Sequence, residues 1–306
     1  MTCDISPFRH LYPFESHWLD LDGVRMHYVD EGAGSPVVMV HGNPTWSFYF
    51  RDLIKELRTT HRVIAPDNVG CGLSDKPDDR DYEYTLSRRV EDLEALLDQL
   101  DLGENITLVA HDWGGMIAAA CALRRLDRIG RLVFMNTSGF MLPPGQRFPW
   151  QLWLIRHLSP LGSLLVRGFN GFAFGATYLA TAQGLPADVR RAYRAPYDTW
   201  ANRIATLRFV QDVPCKPGDR SYELVNWVAE QLERLRERPV MIGWGERDFV
   251  FTMRFLAEWR RRLPDAEVHS YPDAGHYVLE DAGADLIPKV RAFIERNTTA
   301  STEADT

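Results

Sequence analysis

Asp112 stands between Ala110 and Gly114 in the run Ile106-Thr-Leu-Val-Ala-His-Asp-Trp-Gly-Gly-Met116. The residues before it are apolar and largely β-branched, and those at 117–123 are rich in alanine. This pattern predicts a buried strand over 106–110, a cramped corner, and a helix. A reactive side chain on such a corner needs small neighbours two residues away on each side, so that the backbone can fold back without clashes. The familiar version of the turn carries serine at its apex. Here the apex is an aspartate, whose carboxylate needs no proton removed before it attacks carbon. On this stretch alone a second reading stands beside the first: Asp112 caps the helix that follows it, a common role for Asp.

Two more residues sit where a second and third chemical group would be needed. Asp248 lies in Trp244-Gly-Glu-Arg-Asp-Phe249, just past an expected strand at 239–243. His276 lies in Asp273-Ala-Gly-His-Tyr277, just past another at 266–271. Each has a plain structural reading, Asp248 as a helix-start residue near Thr252 and His276 as a surface loop residue. Together they place a nucleophile, an acid and a histidine at the carboxyl ends of strands, where open α/β sheets assemble their sites. That order along the chain is also the order of the α/β-hydrolase triad. A zinc site does not fit, because no two histidines flank a glutamate at helical spacing and His111 stands beside the corner without a partner.

The elements that must position these groups follow from the pattern. Residues 18–30 read as two strands turning at Asp22-Gly23, a strong hairpin signal. Strands are expected at 36–40, 61–65, 106–110, 131–135, 239–243 and 266–271. Helices are expected at 47–57, 84–100, 117–123, 222–236, 252–262 and 285–296. The glycines of 67–77 do not read as a phosphate cradle, since Pro77 and an acidic run follow in place of a helix. Alternating strands and helices predict an α/β fold with a mostly parallel central sheet covered on both faces.

The alternation breaks over 138–217, which is aromatic and helical in pieces and carries Pro143, Pro144 and Pro160. This stretch is expected to be an inserted helical cap. Its glycines at 168, 171 and 175 would serve close packing, a hinge or an oligomer contact. The expected organisation is a core at 1–137 and 218–296, the cap between them, and a disordered polar tail at 297–306.

The motifs His41-Gly-Asn-Pro-Thr-Trp46, Asp67-x-x-Gly-x-Gly-x-Ser-Asp-Lys-Pro77, His111-Asp-Trp-Gly-Gly115 and Gly275-His276 resemble those of the α/β hydrolases, and more narrowly of the haloalkane dehalogenase family. The resemblance covers nearly the whole chain. It implies an α/β-hydrolase fold with Asp112 as nucleophile, His276 as base and a supporting acid, helped by two halide-holding side chains. By motif position those two are Asn43 and Trp113, whose backbone N–H groups would also hold the oxyanion. The family places its acid after either of two strands, and Asn136-Thr-Ser138 offers no carboxylate at the earlier one. Asp248 therefore takes the role. An Asn–Trp pair with this later acid resembles the family's third subgroup, which also contains β-lactone decarboxylases of long-chain olefin biosynthesis.

The activity the resemblance implies is hydrolysis of a carbon–halogen bond through an alkyl ester on Asp112, with β-lactone decarboxylation on the same machinery as the alternative. A neutral His276 would activate water, so activity is expected to fall on the acid side near about 6.5 if its pKa is unshifted. Epoxide hydrolysis would need cap tyrosines, for which Tyr178, Tyr193 and Tyr197 are available, and a residue other than Asn43. A serine esterase is disfavoured by aspartate at position 112. A non-catalytic binding protein of this fold would be expected to lack part of the triad.

Composition bounds the rest. The chain has 306 residues, 45% of them hydrophobic and 25% charged, values ordinary for a globular protein. A net charge of −7 and scattered arginines give no reason to expect nucleic acid. Cys3, Cys71, Cys121 and Cys215 form no C-x-x-C pair and read as reduced thiols. No secretory signal and no membrane-length apolar run are visible. The expectations are a cytoplasmic protein with no cofactor and no metal, with a small apolar substrate and a halide ion as its partners. Self-association is left open.

Overall fold

The computed structural model describes residues 3–303. Strands β1 (His17–Leu21), β2 (Val24–Glu31), β3 (Pro36–Val40), β4 (Arg62–Pro66), β5 (Ile106–Asp112), β6 (Ile129–Thr137), β7 (Val240–Gly245) and β8 (Glu267–Tyr271) form one sheet. Their order is β1-β2-β4-β3-β5-β6-β7-β8. Only β2 runs antiparallel to its neighbours, β1 and β4; every other pair is parallel. The β1–β2 turn places Asp22 at φ 56° and Gly23 at φ 90°, the left-handed pair that a tight hairpin of this twist demands.

The central strands are apolar at nearly every position because both faces of the sheet are covered. Alternate residues divide between two cores. Val38, Val40, Leu108, Ala110, Leu132 and Phe134 pack on one face. Val37, Met39, Val109, Val133 and Met135 pack on the other. The crossover helices α1 (Arg51–Leu57), α2 (Leu86–Gln99) and α3 (Trp113–Arg124) serve this first half of the sheet. Residues Ile117 to Ala122 of α3 are fully buried, as suits a helix that is apolar all round.

Between β6 and the next core helix the chain carries α4 (Trp150–His157), α5 (Ser159–Ser163), a π turn at Leu164–Gly168, α6 (Gly171–Leu179), α7 (Ala187–Arg194) and α8 (Ile204–Asp212). The α/β alternation then resumes with α9 (Tyr222–Gln231), α10 (Met253–Arg262) and α11 (Val278–Glu303). Within the inserted segment the glycines differ. A Cβ on Gly171 would come within 2.9 Å of the Leu165 carbonyl oxygen, so close packing requires it, whereas Gly175 lies against open space.

Three differences from the sequence pattern bear on the site and on the end of the chain. The elbow has no intervening loop, since β5 runs to Asp112 and α3 starts at Trp113. Helix α11 starts at Val278 and crosses Pro288, because Leu286, Val290, Phe293 and Ile294 bury one stripe against the core. Tertiary burial holds the helix together across a residue that breaks it locally. The helix also continues through 297–303, where a disordered tail is expected. Asn297 Nδ2 and Thr298 Oγ1 donate to the carbonyls of Phe293 and Ile294 one turn back, and no Gly or Pro interrupts this part of the chain. Residues 304–306 of the expected tail lie outside the described residues.

Candidate active site

All parallel strands end on the same edge of the sheet, so Asn43 after β3, Asp112 at the end of β5, Asp248 after β7 and His276 after β8 converge there. At the elbow Asp112 takes φ 55° and ψ −130°, an unusual conformation for a residue with a side chain. Neighbouring strands close tightly on the turn. A Cβ on Gly114 would collide with the Val40 carbonyl oxygen, and one on Gly115 with the Thr137 side chain. Thr137 Oγ1 donates to the Asp112 carbonyl oxygen and pins the turn from β6.

Asp112 occupies the N-cap position of α3, yet its carboxylate accepts no bond from that helix. Its Oδ1 instead accepts from the Asn43 backbone N–H at 2.6 Å. The helix-cap reading therefore does not describe this side chain. A Cβ on Gly42 would overlap the Asp112 carboxylate, which explains the glycine in His41-Gly42-Asn43. His41 fixes that loop: its Nδ1 lies 2.7 Å from the Gly42 carbonyl oxygen, and its Nε2 accepts from the Asn68 N–H at 2.8 Å. That bonding requires the neutral ring, and burial pushes its pKa down.

His276 bridges the two acids. Its Nδ1 lies 2.7 Å from Asp248 Oδ2, and its Nε2 lies 3.5 Å from Asp112 Oδ2. Burial disfavours charge on the ring, but the Asp248 and Asp112 carboxylates on its two sides outweigh this and raise its pKa to about 10. The ring of the free site is therefore shifted upward from the ordinary value near 6.5. Asp248 is held by the N–H groups of Val250 and Phe251 on Oδ1, at 2.7 and 3.0 Å, and by Asn136 Nδ2 on Oδ2, at 3.0 Å.

Several residues that shape the site are not singled out by the sequence pattern. Asn136 carries no carboxylate, but it clamps β7 by exchanging bonds with the Gly245 N–H and carbonyl oxygen. His111 lies between the Tyr49 and His276 rings, and its Nε2 sits 2.9 Å from the His276 carbonyl oxygen. Burial, reinforced by neighbouring His276, lowers its pKa to about 3, so it stays neutral. Asp281 accepts from the N–H groups of Gly275, Ala182 and Gln183, tying the His276 loop to the inserted segment. For Asn136 and His111 the available signal is position, a polar residue at a strand end beside the site. Asp281 has no local signal.

Asp112, Asn43, Trp113 and His276 line a cavity of about 410 Å³ whose other walls are almost wholly apolar, among them Met116, Phe140, Leu152, Phe172 and Val225. Trp113 packs its ring 5.5 Å from Phe209. One Asn43 amide hydrogen goes to the Thr206 carbonyl at 3.1 Å, leaving the second for a ligand. The inserted segment's tyrosines are elsewhere. Tyr193 donates to Glu280, the Tyr197 hydroxyl points to the Thr45 carbonyl, and Tyr178 is 49% exposed. None of the three lines the cavity, so the cap tyrosines that epoxide opening would use are not at this site; the tyrosine that does line it, Tyr277, follows His276 on the core. The glycine loop after β4 wraps a side chain in place of a phosphate: buried Asp67 accepts from His27 and from the N–H groups of Ser47 and Leu73.

Comparison with known proteins agrees with this architecture. The alpha/beta hydrolase fold family matches residues 35–283. The chain is 51% identical to a cis-3-alkyl-4-alkyloxetan-2-one decarboxylase of Shewanella oneidensis, over 96% of this chain and 93% of that one. It is 32% identical to haloalkane dehalogenase 2 of Mycobacterium tuberculosis, over 92% of this chain and 96% of that one. The crystal structure of a haloalkane dehalogenase from Bradyrhizobium elkani superposes with a TM-score of 0.83 at 25% identity, covering 94% of this chain and 99% of that one. The chain belongs to the haloalkane dehalogenase family of the α/β-hydrolase superfamily, in the subgroup that also contains the β-lactone decarboxylases.

Proposed function

We propose that this protein decarboxylates cis-3-alkyl-4-alkyloxetan-2-ones to cis-alkenes, with Asp112 as the covalent nucleophile. The observation that carries this reading is the likeness to a lactone decarboxylase along nearly the whole chain, well above the likeness to a dehalogenase. The site supports it with an ionisable aspartate at the floor of an apolar cavity suited to two alkyl chains.

The chemistry balances without water. A carboxylate oxygen of Asp112 attacks ring carbon C4 from the side opposite the ring oxygen. The C4–O bond breaks, its electron pair stays on oxygen, and a carboxylate is left on C3. The Trp113 indole N–H and the Asn43 amide are donors without competing charge, suited to receive that carboxylate. The C3–carboxyl bond then breaks and carbon dioxide leaves. Its electron pair forms the C3=C4 double bond, and the C4–Asp112 bond returns its pair to Asp112. Inversion at C4 followed by anti fragmentation converts the cis lactone to the cis alkene. The protonated His276 ring and the Asn43 N–H stabilise the departing Asp112 carboxylate, and Asp248 holds the ring in place.

Dehalogenation is the second reading, favoured by the two donors beside Asp112. There the same donors would take a halide, and His276 would activate water on the ester once Asp112 has lost its charge. The test is headspace analysis of alkene and carbon dioxide from a cis-dialkyl β-lactone, with bromide release from a 1-bromoalkane assayed in parallel. Alkene that disappears in Asp112→Asn supports the proposal. Bromide release with no alkene would move the assignment to the second reading.

A further inference from the structure

The inserted helical segment turns a broad apolar face to solvent that the chemistry does not use. Trp150 and Phe169 are 70% and 71% exposed, and Trp153, Leu164, Phe174 and Tyr178 are each 49% exposed. These side chains come from α4, the π turn with Phe169 just after it, and α6, short helices that pack in a row through α5. None of the six lines the cavity. Leu142, Leu165, Leu179 and Phe249 line the cavity and are also 40%, 37%, 66% and 48% exposed, so the cavity mouth is itself apolar and open to solvent. An apolar surface of this extent on a single chain marks a place where something binds.

The charge distribution identifies the kind of surface it meets. Residues 138–217 carry nine Arg or Lys against three Asp or Glu, while the rest of the chain carries 26 against 39. A basic cap thus sits on an acidic body. Arg167, Arg190 and Arg194 lie over the rings of Trp200, Tyr178 and Phe174 at 4.7, 4.9 and 5.0 Å. Among the described residues none of these three arginines forms an ion pair, so their charge is available to an outside anion. Exposed Trp, Phe and Leu interleaved with unpaired arginine is the composition favoured at the boundary between lipid headgroups and acyl chains.

We propose that this face seats the protein on an anionic lipid bilayer, with the aromatic and leucine side chains in the headgroup boundary and the arginines on lipid phosphates. No described helix is long and apolar enough to cross the membrane, so the protein lies on the surface. Seated this way, the cavity mouth faces the acyl region. An apolar substrate reaches Asp112 from the bilayer, and an apolar product returns to it, without crossing water. The inference holds for any long-chain apolar substrate and does not depend on which reaction Asp112 performs.

The test is sedimentation of the full chain with vesicles of phosphatidylglycerol and phosphatidylethanolamine, beside vesicles of phosphatidylcholine alone. The expected result is binding to the anionic vesicles that weakens with salt and on phosphatidylcholine. The double variant Trp150→Ser/Phe169→Ser should bind at least about tenfold more weakly, while keeping the wild-type melting temperature. If that variant fails to fold, loss of binding in salt and a blue shift of tryptophan emission on vesicles carry the test with the wild-type chain. Absence of binding to anionic vesicles would overturn the proposal, as would equal binding by the folded double variant. A concentration-dependent dimer that the double variant abolishes, in a protein that ignores vesicles, would also overturn it and place a second copy on this face.

Discussion

Asn136 Nδ2 lies 3.0 Å from Asp248 Oδ2, the same oxygen that meets His276 Nδ1 at 2.7 Å. The amide therefore fixes the acid that fixes the imidazole, and it does so from the strand end where the family's other acid position falls. Removing it takes away a hydrogen bond to a charged group, about 1.5–3 kcal/mol. If that energy appears in the barrier, Asn136→Ala lowers turnover by about 10–100-fold. Steady-state kinetics beside a melting curve checks this, since a purely structural role would lower the melting temperature and leave the turnover of folded protein unchanged.

His276 gives the two candidate reactions different pH profiles. Burial works against its charge, but Asp248 and Asp112 raise its pKa from 6.5 to about 10, so the ring is charged in the free site at neutral pH. Alkene formation uses the charged ring and should stay level across the ordinary histidine range, then fall as pH approaches about 10. Bromide release needs the neutral ring after Asp112 has become an ester, so it should fall on the acid side. Rate profiles for both substrates on one preparation distinguish them.

The same shift links stability to pH. The folded pKa exceeds the unfolded one, so the stabilisation from His276 is complete below 6.5 and is lost as pH rises to about 10. Denaturant unfolding should show the gap between wild type and His276→Gln narrowing across that window. A constant gap would contradict the charged-ring assignment.

Asp67 supplies the opposite case. Burial opposes its ionisation, yet the His27 ring at 2.8 Å and the backbone N–H of Leu73 hold its pKa below the usual 3.8. Its stabilisation is therefore present above pH 3.8 and lost as pH falls through the lowered folded value. Asp67→Asn weakens hydrogen bonds to a charged group and should cost about 1.5–3 kcal/mol at neutral pH. Acid titration of unfolding should show this difference closing at low pH.

Much of this was legible in the sequence for a physical reason. The paired small residues around Asp112 and the DG hairpin are local requirements, so local pattern reveals them. The separation of Asp112, Asp248 and His276 along the chain follows from parallel strands ending on one edge. Asn136 and Asp281 are different, because their roles exist only once β6 lies beside β7 and the inserted segment lies beside α11. The start of α11 at Val278 was hidden behind Gly283 and Pro288, whose local cost is outweighed by burial of Leu286 and Val290. The three cap tyrosines had the right type, and only their packing removes them from the cavity.

The central claim is that the Asp112 ester collapses by fragmentation and not by hydrolysis, and the Asp112 peptide records which occurs. Many turnovers of a cis-dialkyl β-lactone in heavy-oxygen water, followed by digestion and mass spectrometry, read it out directly. Fragmentation returns the original oxygen to Asp112, so the account predicts an unlabelled peptide together with cis-alkene and carbon dioxide. Heavy oxygen in the Asp112 carboxylate, with a β-hydroxy acid as product, would contradict it.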